Sequence, residues 1–279
     1  LYAKGVSLNR CFDELNLTMP QLVKEVHLSY VKAGADVVES NTFGATRLRL
    51  QKSDLGDKVR EINLAGARLA REVAGDDLYV AGSVGPLGLR LEPLGPTSLA
   101  EAREAFREQI QALVEGGVDL ILIETMSDLN EAHQALLAAR EVCPLPVVVQ
   151  MTIQDDGATP TGTLPEDFAR QLDAWGADLI GINCSVGPAA VHATLERMAA
   201  VTTKKLSAQP NAGLPRTIDG RNIYLCSPEY MASYSRRFID AGARLIGGCC
   251  GTTPEHIRAI KAAVRSLSPQ GARAAIEVS

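Results

Sequence analysis

The chain lacks the features that mark several large function classes. Its 279 residues carry a net charge of -5, and lysine and arginine are scattered instead of forming a basic stripe. The electrostatic footprint of a nucleic-acid binder is therefore missing, and small or neutral partners are expected. No apolar run approaches the roughly 18 residues of a membrane span, and no signal peptide opens the sequence. No glycine fingerprint for dinucleotide phosphates opens the first strand-helix unit either. The six cysteines are unevenly spaced through a long chain, which fits a reducing compartment better than a disulfide framework and makes the cytoplasm the expected location. With 46% hydrophobic residues, the chain is long enough for one large domain with a substantial core.

What is present is a repeating unit. Ala33-Gly34-Ala35-Asp36, Gly116-Gly117-Val118-Asp119, Trp175-Gly176-Ala177-Asp178 and Ala241-Gly242-Ala243-Arg244 each end a helical stretch and run into an apolar strand. Glycine just past a helix is the expected stop. The strands read 36–43, 79–85, 120–126, 146–153, 179–185, 206–211 and 245–250, several as continuous Val, Ile and Leu, the signature of parallel strands buried on both faces. Ser98 with Glu101 and Thr163 with Glu166 read as capping boxes, and Ser227-Pro228 and Thr253-Pro254 place proline at the first helical position. A helix begins near Pro20, and another over 99–114 carries an ordinary core stripe of Leu99, Ala102, Phe106, Ile110 and Leu113. Seven strand-helix units predict a (β/α)8 barrel whose first strand is absent from this chain, with a doubly wound open sheet as the alternative. The expected organisation is a barrel over 1–266 and a linker toward a further module over 267–279.

Chemistry concentrates where strands end. Cys249 and Cys250 sit in Gly247-Gly248-Cys249-Cys250-Gly251, and Cys184 ends Gly181-Ile182-Asn183-Cys184. Three thiolates suit a zinc ion, which in catalytic sites keeps three protein ligands and an open fourth position. Buried cysteine also serves as a small hydrophobe, the reading favoured for Cys11, Cys143 and Cys226. Neighbouring side chains of a regular strand point to opposite faces. Cys249 and Cys250 can therefore share a metal only if the backbone leaves strand geometry, a freedom that Gly247, Gly248 and Gly251 supply. Glu124, after Leu120-Ile121-Leu122-Ile123, is costly to bury without a partner and calls for a cation, as substrate or as salt bridge. Asn41, Thr42 and Ser83 fit a site or simple capping equally well.

Together, Gly-Ile-Asn-Cys at 181–184, Gly-Gly-Cys-Cys-Gly at 247–251, Glu-Ser-Asn-Thr-Phe at 39–43, Ala-Gly-Ser-Val-Gly-Pro at 81–86 and Glu-Thr-Met at 124–126 resemble the zinc-dependent homocysteine S-methyltransferase family. The resemblance covers nearly the whole chain. It implies a TIM barrel with zinc on Cys184, Cys249 and Cys250, and Glu124 receiving the amino group of homocysteine. It further implies that Asn211 lies where an oxygen can reach zinc before the substrate arrives, with Asn183, Asn41 and Ser83 as further substrate-site residues. The implied reaction is methyl transfer to the homocysteine thiol, giving methionine.

The methyl donor is open, with a methylcobalamin module and a fused folate or methylenetetrahydrofolate reductase domain as the expected partners. Asn9-Arg10-Cys11-Phe12-Asp13-Glu14-Leu15 resembles the versions fused to such a reductase, and the tail from Ser268 reads as a linker. The family's opening strand, with its Asp-Gly-Ala-Met-Gly-Thr-like loop that helps hold the substrate, has no counterpart in this sequence, so these residues alone are expected to bind homocysteine more weakly. Two other classes remain: a non-catalytic zinc-stabilised barrel that docks a neighbouring module, and a barrel lyase using Glu124 as base.

Overall fold

The computed structural model describes residues 5–6, 10–214, 216–218 and 221–267. The chain divides into two compact units, Leu1–Lys32 with Asp36–Val147, and Ala33–Ala35 with Val148–Ser279. In the first, α1 (Leu15–Thr18) and α2 (Pro20–Lys32) precede β1 (Val37–Glu39), and α3 (Arg47–Leu50) and α4 (Val59–Ala74) lead to β2 (Tyr79–Val84). Then α5 (Leu99–Glu115), β3 (Leu120–Met126) and α6 (Leu129–Val142) follow. The three strands are parallel and adjacent in chain order, with Val38 opposite Val80 and Ala81 opposite Leu120.

The second unit takes in all but the first residue of β4 (Val147–Met151), then α7 (Pro165–Ala174), β5 (Leu179–Asn183), α8 (Pro188–Ala199) and β6 (Lys205–Gln209). A short antiparallel hairpin, β7 (Arg216–Ile218) and β8 (Arg221–Ile223), intervenes before α9 (Pro228–Ser233), α10 (Ser235–Asp240), β9 (Ala243–Ile246) and α11 (Pro254–Leu267). Here too β4, β5, β6 and β9 run parallel in chain order. Seven parallel strands alternating with helices are those of a (β/α)8 barrel that lacks one strand among the described residues. α11 runs one residue past the expected domain end at 266, and positions 268–279 of the expected linker lie outside the described residues.

The local rules explain most of this. Leu120, Ile121, Leu122 and Ile123 are all buried, as are Val147, Val148 and Val149, so β3 and β4 are covered on both faces and need no polar alternation. Gly34, Gly117, Gly176 and Gly242 adopt φ from +84° to +98°, the left-handed turn that ends each helix and launches the next strand. Ser98 Oγ accepts the Glu101 N–H at 3.1 Å, and Ser227 Oγ accepts that of Tyr230 at 3.2 Å with Pro228 in the first turn.

The capping box at Thr163 and Glu166 is not formed. Leu164 is the residue at the helix boundary, extended at ψ 152°, and Pro165 opens the helix. A residue before proline is pushed away from helical geometry, so the start falls one position later. Glu166 instead grips Arg197 through both carboxylate oxygens, at 2.7 and 2.9 Å. The strands are also shorter than the expected 36–43, 206–211 and 245–250. Their last residues leave the ladder to form the loops that carry the polar groups.

One buried acid serves the loop after β2. Glu131, on α6, accepts the Leu87 N–H at 2.6 Å. Burial pushes its carboxyl up to about 7 despite that hydrogen bond, with Asp128 adding to the rise and Arg49 opposing it. The folded state thus holds a proton that the unfolded chain releases near its ordinary value, so stability falls as pH rises from about 4.5 to about 7. Glu131→Gln keeps an acceptor for Leu87 and removes the titration. Melting curves of E131Q and the parent should diverge across this window, E131Q gaining up to roughly 3 kcal/mol above pH 7. Parallel curves would remove Glu131 from the pH dependence.

Candidate functional site

The second unit brings the three cysteines together. β5 ends at Asn183, and the chain then takes two left-handed residues, Cys184 at φ +63° and Ser185 at φ +58°. Such φ values cost non-glycine residues about 1–3 kcal/mol and persist only when the surroundings fix them. Here the Cys184 N–H donates to Gln209 O at 3.1 Å, and the Ser185 and Thr152 hydroxyls meet at 2.7 Å. β9 ends at Ile246, so both other cysteines lie beyond strand geometry. Their loop is registered against the end of β6. Gly247 N–H donates to Ala208 O at 3.0 Å, Cys249 N–H to Pro210 O at 2.8 Å, and Ala212 N–H to Cys250 O at 2.9 Å. The sequence placed the needed freedom in the glycines beside Cys249 and Cys250, and Gly251 is indeed at φ +80°; the left-handed turn at Cys184 and Ser185 carried no sequence signal.

The three Sγ atoms lie within 4.8 Å of one another, and those of Cys184 and Cys250 are 3.6 Å apart. All three thiols are free. Tetrahedral thiolate ligands at ~2.3 Å from a metal stand about 3.8 Å from each other, so this triangle fits such a centre. The electrostatics agree. Hydrogen bonds from Cys184 and Cys249 pull the Cys250 thiol down to about 3, with the Tyr224 hydroxyl helping. The Cys249 thiol is pushed up, first by its bond to Cys184, then by its bond to Cys250 and by burial. Cys184 is also raised, because its bond to Cys250 and its burial outweigh the pull of Cys249. The cluster holds one negative sulfur readily and resists a second, which is the condition a divalent cation relieves.

Asn183 and Asn211, both buried, belong to the same unit. Asn183 Nδ2 points at Cys249 Sγ at 3.9 Å, and Asn211 Oδ1 accepts the Cys250 N–H at 3.0 Å. In the first unit, Ser83 and Glu124 come together. Glu124 is 8% exposed and accepts the Ser83 hydroxyl at 2.5 Å. Ser83 is itself placed by Ser40, whose Oγ takes its N–H at 3.1 Å, and Thr42 Oγ1 donates to Ser83 O at 2.8 Å. Thr125, beside the carboxylate, is left-handed at φ +60°. The amide of Asn41 is turned to α1, donating to Phe12 O at 2.7 Å and Asn16 Oδ1 at 3.2 Å.

Sequence reasoning missed Tyr224. Its ring lies on Gly251, where a Cβ would meet Tyr224 Cγ at 2.2 Å. Burial, followed by the negative charge on Cys250, pushes its phenol up to about 12. A lone tyrosine in a loop far along the chain from Cys250 gives no periodic or motif signal, so only the fold exposes the contact.

With this geometry in place, comparison with known proteins settles the family. The chain belongs to the homocysteine S-methyltransferase family, whose model matches residues 3–264. It is 36% identical over 283 residues to methionine synthase of Mycobacterium leprae and 36% identical over 273 residues to that of Mycobacterium tuberculosis. These alignments take in 95% and 93% of the chain but only 23% of either relative, so the chain spans about a quarter of the curated proteins it matches. Its fold is similar to the metallated form of the homocysteine methyltransferase MmuM from Escherichia coli, with a TM-score of 0.79 and 27% identity, covering 94% of this chain and 91% of that one.

The Gly251 contact is directly testable. Gly251→Ala puts a methyl group into the Tyr224 ring and forces an alanine to φ +80°. The left-handed backbone alone costs roughly 1–2 kcal/mol. Denaturant unfolding should show at least that loss, and unchanged stability would mean the ring is not seated there.

Proposed function

We propose that the chain binds zinc through Cys184, Cys249 and Cys250 and transfers a methyl group to the thiol of homocysteine, giving methionine. The observation that carries this reading is the triangle of sulfurs within 4.8 Å of one another in a chain of this family. Bound zinc supplies a Lewis acid that keeps the substrate thiol deprotonated at neutral pH, where a free thiol is mostly protonated. Three free thiols ready for metal also call for a reducing compartment, so we place the protein in the cytoplasm.

The chain's own groups do the rest. A metal held by the three cysteines would have room for a fourth ligand, and Asn211 would be the residue to offer its side-chain oxygen before substrate arrives; a carbonyl oxygen has two lone pairs, and the Cys250 N–H takes one. Asn183, with its amide toward Cys249, helps orient the ligand set. Glu124 receives the substrate ammonium. The Ser83 hydroxyl fixes the carboxylate for that task, and Asn41 contributes by anchoring the end of β1 to α1.

In the reaction the homocysteine sulfur forms a bond to the methyl carbon as the bond from that carbon to its donor breaks. The donor leaves with the bonding electron pair, and the thiol proton is lost to solvent on binding. No general base acts on the methyl group. The length of the methionine synthase relatives favours a donor carried by another module, a methylcobalamin or folate unit, over a small free one.

Two measurements test this. The reduced protein should hold close to one zinc per chain, and serine at Cys184, Cys249 or Cys250 should sharply weaken retention, whereas replacing Cys11, Cys143 or Cys226 should not. Unchanged zinc content in all three site variants would defeat the metal assignment. Calorimetric titration with homocysteine should show Glu124→Gln binding more weakly by about 1.5–3 kcal/mol with zinc content unaltered, the worth of a charge-assisted bond. Equal affinities would remove Glu124 from the ammonium site.

A further inference from the structure

A carboxylate that recognises an ammonium group binds it best when it is already held in the bound pose. In the first unit that task falls on Ser83, whose hydroxyl donates to Glu124 at 2.5 Å. Ser83 is itself held by a closed ring of hydrogen bonds with defined directions. The Thr42 hydroxyl donates to Ser83 O at 2.8 Å, which spends its one proton. In the 2.7 Å contact between the Ser40 and Thr42 hydroxyls, Ser40 is therefore the donor. Ser40 Oγ in turn accepts the Ser83 N–H at 3.1 Å. Both backbone polar groups of Ser83 are thus tied to the end of β1, and its hydroxyl proton goes to Glu124.

Thr42 is seated from behind by a residue that no motif marks. Gln109, in the middle of α5, is fully buried. Its Nε2 donates to Thr42 O at 2.7 Å and to Asn63 Oδ1 at 3.1 Å. Asn63, equally buried on α4, donates to Ala45 O and Val59 O, both at 2.8 Å. Backbone carbonyl oxygens only accept, so these partners fix which end of the Gln109 amide faces Thr42. Its Oε1 has no hydrogen-bond partner among the described residues, so the amide serves the structure through its N–H groups. On its other side the Thr42 methyl is pressed against Gly66 of α4, where a Cβ would stand 2.5 Å from Thr42 Cγ2. One chain of contacts therefore runs from Gln109 through Thr42 and Ser83 to Glu124. The net worth of such bonds to folding is small, and what a buried polar network fixes is a single arrangement of its members.

Resting on the reading of Glu124 as the ammonium site, we propose that Thr42, seated by Gln109, is a positioning residue for homocysteine. Through Ser83 it holds the Glu124 carboxylate in the pose that favours a thiol bearing an α-amino group over one without it.

The test separates shape from hydrogen bonding. Thr42→Val keeps the shape and removes the hydroxyl, whereas Thr42→Ser keeps the hydroxyl and removes the methyl seated on Gly66. Calorimetric titration of the zinc-loaded chain should show T42V binding homocysteine about three- to tenfold more weakly, the worth of one hydrogen bond, and T42S binding it as the parent does. 4-Mercaptobutyrate, which is homocysteine without its amino group, should bind the parent and T42V alike. In the Glu124→Gln background T42V should cost nothing further, because the carboxylate it positions is gone. Gln109→Met, which removes the amide and keeps the bulk, should weaken homocysteine in the same direction and spare 4-mercaptobutyrate. A merely structural role gives another pattern, with losses that follow the melting temperature, strike both thiols equally and persist in E124Q. That pattern, or an unmoved homocysteine affinity in T42V, overturns the inference. Should T42V not fold, Q109M decides on the same two thiols. If E124Q binds homocysteine as tightly as the parent, the ammonium reading beneath the inference fails and takes it along.

Discussion

Mutual repulsion among three sulfurs is the constraint on which the rest of the second unit depends. Sulfur atoms within 4.8 Å of one another cannot all carry charge without a cation, and the cluster answers by concentrating its negative charge on Cys250 at the expense of Cys249. Everything nearby is arranged to keep that unfavourable proximity intact. The backbone of 247–250 is registered against 208–212, Cys184 is tied to Gln209, and Asn211 holds the Cys250 amide. Those backbone bonds hold the loops, and the Cys184–Cys250 contact at 3.6 Å joins two of the sulfurs directly.

The two units solve a similar placement problem with the same device. Parallel strands aim their last side chains along alternating faces, and a functional group at the end must often be turned away from the face its register dictates. Thr125 follows Glu124 with a left-handed backbone, and Cys184 and Ser185 adopt it themselves. In each case neighbouring hydroxyls hold the turn's surroundings, Ser83 on Glu124 and Thr152 on Ser185. Strain at the strand ends is thus matched with local hydrogen bonding, and the buried apolar ladders behind it, such as Leu120–Ile123, supply the rigidity.

What was legible in the sequence follows the range of the interactions concerned. The four glycine turns, the caps at Ser98 and Ser227, and the strand runs are local rules written within a few residues, and they place the elements almost correctly. The convergence of Cys184 with Cys249 and Cys250 was legible too, because chemistry-bearing motifs at successive strand ends point to the same end of a barrel. The Thr163 cap failed because Pro165 overrode it and Arg197, distant in sequence, claimed Glu166. The hairpin after β6 carries a local signal in Asp219-Gly220, the dipeptide between its two strands, whereas the seat of Tyr224 on Gly251 was invisible, since it depends on a contact between segments with no shared periodicity. Asn41 looked like a site residue by its motif, and only the packing of α1 shows where its amide goes.

The contact between Cys184 and Cys250 joins positions 66 residues apart. Any ligand that bridges them pins a loop of that length, and a cross-link of this span removes conformational freedom from the unfolded chain worth about 4 kcal/mol in the loop-closure account. The enclosed stretch contains α8, β6, the hairpin, α9, α10 and β9. A metal held across so wide a span would therefore double as a clasp on this stretch of the barrel, so that its occupancy and the persistence of the fold would rise and fall together.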